Sequence, residues 1–221
     1  MKLLAEALVK FACGLLMVGL LIFLPAGTLQ YTYGWLLIAL LFVPMVIAGF
    51  VMLHKSPECL KKRLDVKEKQ GRQKGVVAFS GLMFVAGFVV ASLDFRFGWS
   101  QMPAWVVITA SVLFLVSYAL YAEVMRENAY LSRTVKVEKG QKVVDTGLYG
   151  IVRHPMYAVT ILLFLMIPLV LGSCYALIAF AFYPVIIIVR LKAEEDLLTR
   201  ELPGYAEYKK KVKYRLIPFV W

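Results

Sequence analysis

The residues best equipped for chemistry fall in two short stretches, 143–157 and 190–196. In the first, Asp145-Thr146-Gly147 signals a turn, and Pro155 suits the first turn of a helix, where an N–H would have no partner. His154 and Tyr157 then flank the start of that helix, whose free N–H groups and positive dipole end suit the carboxylate of an amino-acid-like ligand. The plainer alternative makes Arg153 and His154 interfacial anchors and Tyr157 part of an aromatic belt. In the second stretch, Arg190 and Glu194 are four residues apart and share a helix face. A carboxylate there could hold two ribose hydroxyls while the arginine grips an anionic group through paired N–H donors. Their plainer alternative is a surface ion pair worth roughly a few tenths of a kcal/mol.

What positions these residues is a membrane. The chain has 221 residues, 61% of them hydrophobic and only 18% charged, with a mean hydropathy of +0.75. That is too much apolar surface for one water-soluble core of this length. Uncharged stretches at 11–24, 34–53, 76–93 and 104–121 alternate with charged ones. About 20 apolar residues cross a hydrocarbon core of roughly 30 Å. The first stretch reaches that length when it starts near Leu3 and carries Glu6 and Lys10 in its interfacial turns. A signal peptide competes for it, because Lys2 precedes an apolar run, but the Ala-Gly pair after Pro25 is a poor cleavage site and a further span follows at once. Residues 156–189 are too long for one crossing and are interrupted by Gly172-Ser173, so two packed helices in a hairpin are expected. Pro168 and Pro184 are expected to kink them and open room for a ligand or lipid chain. The fold class is therefore all-α, a polytopic transmembrane bundle of four spans plus a C-terminal hairpin, whose limbs return both reactive stretches to one surface.

Charge orients the bundle. Lys55, Lys61, Lys62, Arg63, Lys67, Lys69, Arg72 and Lys74 crowd one loop, within residues 54–75, while the linkers of the other side offer only Arg96. The positive-inside rule makes the basic loop cytoplasmic, together with the loop 125–155 and the tail after Arg190. The net charge of +11 is explained by this topology and by anionic headgroups. Nucleic-acid binding is not indicated, since no basic face joins an aromatic platform. Cys13, Cys59 and Cys174 lack metal or disulfide spacing and two of them read as packing residues. With His54 and His154 the only histidines, no metal centre is expected. No P-loop, GxGxxG or GxSxG motif is present.

Taken together, Thr146-Gly147-x-Tyr149, Arg153-His154-Pro155-x-Tyr157, Arg190-x-x-x-Glu194-Glu195 and Tyr205-x-x-Tyr208 resemble the isoprenylcysteine carboxyl methyltransferase family of membrane enzymes. Membrane phospholipid N-methyltransferases share much of the pattern. The resemblance implies S-adenosyl-L-methionine as cofactor, surrounded by Gln141, Lys142, Val143, Val144, Tyr149, His154, Pro155, Met156, Tyr157, Glu194 and Glu195. It implies Arg190 as the residue facing substrate, with Arg190, Glu194 and Arg153 as the catalytic set. The catalytic region is then 125–221, carried by the helices of 1–124. Membrane sterol reductases, which use NADPH, are the alternative, because Tyr214-Arg215-Leu216-Ile217-Pro218-Phe219 looks like their ending. Glu194-Glu195 and Leu202-Pro203-Gly204-Tyr205 depart from the reductase pattern. The implied reaction is in-line methyl transfer to a nucleophile on a lipophilic or lipidated substrate, which would arrive laterally from the bilayer.

Overall fold

The computed structural model describes residues 2–64, 71–131, 137 and 140–221. Helices α1 (Lys2–Ala26) and α2 (Thr32–Lys55) lead through the short α3 (Pro57–Leu64) to α4 (Gly71–Phe97) and α5 (Ala104–Glu127). A 3-10 turn at Gly147–Gly150 precedes α6 (Pro155–Val170), α7 (Cys174–Phe180), α8 (Tyr183–Glu201) and α9 (Tyr205–Lys211). No strand occurs among the described residues. Among the described residues, five segments are long and apolar enough to cross a membrane: Leu3–Ala26, Thr32–Lys55, Gly75–Phe97, Ala104–Glu127 and Cys174–Glu201. The chain is a multi-pass helical membrane protein, with α6 as the shorter limb of the hairpin.

Between 11% and 33% of each crossing window is buried inside the protein. The rest presents side chains such as Leu8, Leu16 and Leu24 on α1 and Ile47 and Phe50 on α2. Apolar surface so extensive is stable only against lipid. Inward faces form one cluster, with Ile22 from α1, Ala91 from α4, Phe114 from α5, Ile167 from α6, Phe180 from α7 and Leu191 from α8. Small residues let the helices approach closely. A methyl group on Gly87 of α4 would come 2.4 Å from the Phe180 ring of α7, so only glycine admits that contact.

The hairpin reverses between α6 and α7, and a polar latch fixes the reversal. Asp94, at the end of α4, is 1% exposed. Its carboxylate accepts the Ser100 N–H at 2.7 Å, the Ser100 hydroxyl at 2.6 Å and the Ser173 hydroxyl. Ser173 Oγ in turn accepts the Ala176 N–H at 3.1 Å, capping α7. A buried carboxylate is tolerated because its oxygens are satisfied.

Several expectations change. The returning limb is not continuous: it breaks at Ala181 and Phe182, between α7 and α8. Pro184 lies in the first turn of α8, where its ring would clash with a helical carbonyl four residues earlier, so the chain restarts instead of kinking. Pro168 remains inside α6 near its end. The limbs do not part, since the Phe164 and Tyr183 rings meet edge to face at 4.7 Å. An open apolar slot lies instead between α4 and α8, lined by Val76, Phe79, Val185, Ile186 and Val189 among others. Cys13 and Cys174 are exposed free thiols on outward surfaces and do not pack in the core. In the basic loop, Lys67 and Lys69 lie outside the described residues, as do the side chains of Cys59, Lys62, Arg72 and Lys74.

Candidate functional site

The site forms where α5 ends and where α6 and α8 return to the same surface. The Glu127 carboxylate, at the end of α5, accepts the Leu148 N–H at 2.9 and 3.1 Å, which anchors the 3-10 turn. Gly147 permits this approach. Its φ is +54°, and a Cβ there would come 1.7 Å from Glu127 Oε1. The turn delivers Tyr149, whose carbonyl accepts the Tyr208 hydroxyl of α9 at 2.7 Å. Beyond it the chain runs beside its own C-terminal segment. The Arg153 N–H donates to Tyr214 O and the His154 N–H to Arg215 O, each at 2.9 Å.

Behind this element sits a buried ionic cluster. Glu195 is 3% exposed. Its carboxylate accepts Arg153 Nε at 2.6 Å and Arg215 Nε at 3.0 Å, and it lies 3.3 Å from His154 Nε2. Arg153 Nη1 also donates to Val212 O at 2.8 Å and Lys213 O at 2.9 Å. Two cations facing one carboxylate, with Arg153 Nη1 also on two carbonyls, is the arrangement that makes burial of these charges tolerable. Arg153 is therefore a buried strut whose Nε and Nη1 donors are engaged, and not a membrane-surface anchor.

In front of the cluster, three residues make a continuous polar face. The Tyr157 hydroxyl donates to Glu194 Oε2 in a short hydrogen bond and accepts Arg190 Nε at 3.1 Å. The spacing placed Arg190 and Glu194 on one face of α8. The structure adds the phenol of α6 between them, which fixes both side chains relative to the hairpin.

These groups open on a cavity of about 860 Å³, its solvent-facing mouth included. Gln141, Lys142, Val143, Val144 and Tyr149 line it from the loop, and Arg153, His154, Met156 and Tyr157 from the start of α6. Arg190 and Glu194 line it from α8. Pro155 and Glu195 are not among the lining residues: Pro155 occupies the first turn of α6, and Glu195 points back into the ionic cluster. Residues absent from the sequence-derived site complete the wall. Asn128, Tyr130 and Leu131 follow α5, Leu197 and Leu198 continue the Glu194 face, and Leu202, Tyr205 and Tyr208 close the far side. Leu197 and Leu198 were signalled by helical spacing from Glu194, and the two tyrosines by their own motif.

The electrostatics of the lining are distinctive. Burial pushes the phenols of Tyr149, Tyr205 and Tyr208 well above the usual tyrosine range, so they are neutral hydrogen-bonding groups at physiological pH. The Tyr205 hydroxyl is buried with no hydrogen-bond partner among the described residues. At the rim, the Lys211 ammonium donates to Asp145 at 2.6 Å and holds that carboxyl below its ordinary range. No group of three or more His, Cys, Asp or Glu suited to a metal occurs among the described residues.

Residues 106–200, which include α6 and nearly all of α8, match the isoprenylcysteine carboxyl methyltransferase (ICMT) family. The chain is also 27% identical over 165 residues to the uncharacterized protein YpbQ of Bacillus subtilis (strain 168), a match covering 74% of this chain and 95% of that one.

Proposed function

We propose, on the premise that residues 106–200 belong to the isoprenylcysteine carboxyl methyltransferase family, that the chain transfers a methyl group from S-adenosyl-L-methionine to a lipophilic acceptor. The observation that carries this reading is one cavity wall shared by the loop 141–144, the Arg153-His154-Pro155-Met156-Tyr157 element and Glu194. A few polar groups converging on an apolar lining is the make-up of a small-molecule pocket. The donor and acceptor set fits as well. Glu194 offers carboxylate oxygens to ribose hydroxyls, Lys142 and His154 offer cations or donors to a ligand carboxylate, and the unpartnered Tyr205 hydroxyl offers one more hydrogen bond. Apolar Val143, Val144, Leu197 and Leu202 would cover a purine.

When bound, the cofactor supplies a methyl group already activated on a sulfonium. The tasks left to this chain are alignment, desolvation and exclusion of water. Arg190 orients an acidic acceptor and partly neutralises it, while Tyr157 holds Arg190 and Glu194 at a fixed spacing. A carboxylate acceptor requires no base. The buried Glu195 cluster fixes Arg153 and His154 from behind. On α8, Ile186, Arg190 and Glu194 follow one another at helical spacing, so the apolar slot between α4 and α8 leads along the same face towards the polar site. Substrate is proposed to arrive by that slot from the bilayer, and the cofactor from the cytoplasm.

Titration of the purified protein with S-adenosylhomocysteine and, separately, with NADPH tests the proposal. Saturable binding of S-adenosylhomocysteine is expected. Saturable binding of NADPH alone would overturn the reading in favour of a reductase. A labelled-methyl assay against extracted membranes then identifies the acceptor.

A further inference from the structure

The segment after α9 displays apolar side chains that the protein leaves uncovered. Ile217, Phe219 and Val220 are 56%, 88% and 75% exposed. They stand on an ordered turn. The Ile217 carbonyl accepts the Val220 and Trp221 N–H groups at 3.2 and 3.1 Å, and the Trp221 carbonyl accepts those of Arg215, Leu216 and Ile217 at 2.9, 2.9 and 3.1 Å. Phe219 holds a φ of +65°, the one positive value among the described non-glycine residues. That conformation costs energy in any residue with a Cβ. The Phe219 ring meets the Tyr214 ring at 5.4 Å, yet the side chain stays almost wholly outside the protein, so the strain secures little burial within it.

The surroundings indicate what covers the turn. Tyr214 O and Arg215 O accept the N–H groups of Arg153 and His154, which immediately precede the hairpin limb α6. Leu216 is buried in the apolar cluster that holds Ile187 and Leu191 of α8, and Trp221 packs against that cluster. One side of the turn is therefore continuous with the membrane-crossing bundle, at the edge of the bilayer. Charge supplies the second indication. Lys209, Lys210, Lys211 and Lys213 lead into the turn, and Glu207 is the sole acid between 204 and 221. Lys211 is engaged by Asp145, whereas Lys210 and Lys213 are exposed. An apolar tip beside a lysine cluster is the composition that seats at an anionic bilayer surface, rings among acyl chains and ammonium groups on phosphates. A second copy of this chain would set lysines against lysines, which is unfavourable.

We propose that the turn 214–221 is an interfacial anchor: Ile217, Phe219 and Val220 enter the acyl region of the leaflet nearest the cavity, and Lys210 and Lys213 contact anionic headgroups there. The anchor sets Tyr214 and Arg215, and through them the Arg153-His154 element, at a fixed depth. The assignment is independent of the methyl-transfer reading. It is tested on the full chain in nanodiscs, with Cys13, Cys59 and Cys174 replaced by alanine and a nitroxide attached at Phe219→Cys or Val220→Cys. Access of oxygen, which concentrates in lipid, is expected to exceed that of a water-soluble nickel chelate at both positions. Replacing part of the phosphatidylcholine with phosphatidylglycerol is expected to shift the labels deeper, and Lys210→Gln/Lys213→Gln to abolish that shift. Greater access of the chelate at either position would overturn the proposal by placing the turn in water. Protection from both reagents would overturn it in favour of a protein partner. A depth that ignores lipid charge when both lysines are present would overturn the headgroup contact. Should the labelled variants fail to fold, Trp221 is isolated by Trp35→Phe, Trp99→Phe and Trp105→Phe. Its fluorescence is expected to be quenched by brominated phosphatidylcholine, and absence of quenching contradicts the anchor.

Discussion

Replacing Glu195 with leucine should cost more stability than replacing Glu195 and Arg153 together. The carboxylate lies 2.6 Å from Arg153 Nε and 3.0 Å from Arg215 Nε. At an effective dielectric of 20, each pair has a gross attraction of about 6 kcal/mol, most of which is cancelled by the desolvation of burying the ions. Removing one member of such a cluster leaves a buried charge uncompensated, at a cost of about 3–5 kcal/mol. Two features place Glu195→Leu at the lower end, about 3 kcal/mol. Arg153 keeps its two carbonyl acceptors, and the Arg215 side chain is 31% exposed and can turn to water. In Glu195→Leu/Arg153→Met the stranded cation is gone, and about 2 kcal/mol should return. Equilibrium unfolding with a denaturing detergent in mixed micelles, followed by near-UV circular dichroism, measures both differences. A single variant within about 1 kcal/mol of wild type, or a double variant no more stable than the single, would refute the cluster as the strut of this site.

Further outcomes follow from the same geometry. Gly147→Ala combines a φ of +54° with a Cβ 1.7 Å from Glu127 Oε1, so it should lower stability by about 2 kcal/mol and weaken S-adenosylhomocysteine binding. An unchanged unfolding midpoint would contradict it. Glu194→Ala should weaken S-adenosylhomocysteine binding at least about tenfold, roughly 1.4 kcal/mol, whereas Arg190→Ala should lower turnover with cofactor affinity largely kept. Calorimetric titration showing equal affinity in both variants and wild type would sink that division of roles. Tyr149, Tyr205 and Tyr208 have raised pKa values in the folded chain, so their neutral forms are favoured by folding. That contribution is complete below about pH 10 and declines at higher pH, as the unfolded chain ionises first. Stability measured through an alkaline series should therefore fall beyond about pH 10, and a rise there would refute the assignment.

The apolar runs located the spans but understated the helices. The run at 76–93 belongs to a helix spanning Gly71–Phe97, because hydropathy marks the part of a helix that faces lipid, while polar turns continue it into the interface. Pro184 was visible, but its effect was not, since a proline can bend a helix or restart one depending on how the neighbouring segments pack. Within the site, Glu194 and Glu195 were both expected to surround the cofactor. Adjacent residues on a helix point about 100° apart, so when one faces the cavity the other faces the core. The partners of Arg153 on the C-terminal segment were hidden for another reason. Val212 O and Lys213 O are backbone acceptors, and a carbonyl leaves no trace in residue type. Asn128 and Tyr130 entered the wall only through the way α5 ends and the chain turns back.

The pairing of Arg153 and His154 with Tyr214 and Arg215 also bears on how the protein is born. A ribosome makes Arg153 long before its partners, Glu195 coming 42 residues later and Val212 and Lys213 a further stretch beyond, at 59 and 60. The five crossing segments among the described residues all precede Tyr214. A chain truncated before Tyr214 would keep the five crossing segments and yet lack the two main-chain bonds that seat the Arg153-His154 element. Seating of the Arg153-His154 element therefore waits on residues that come far downstream in the chain.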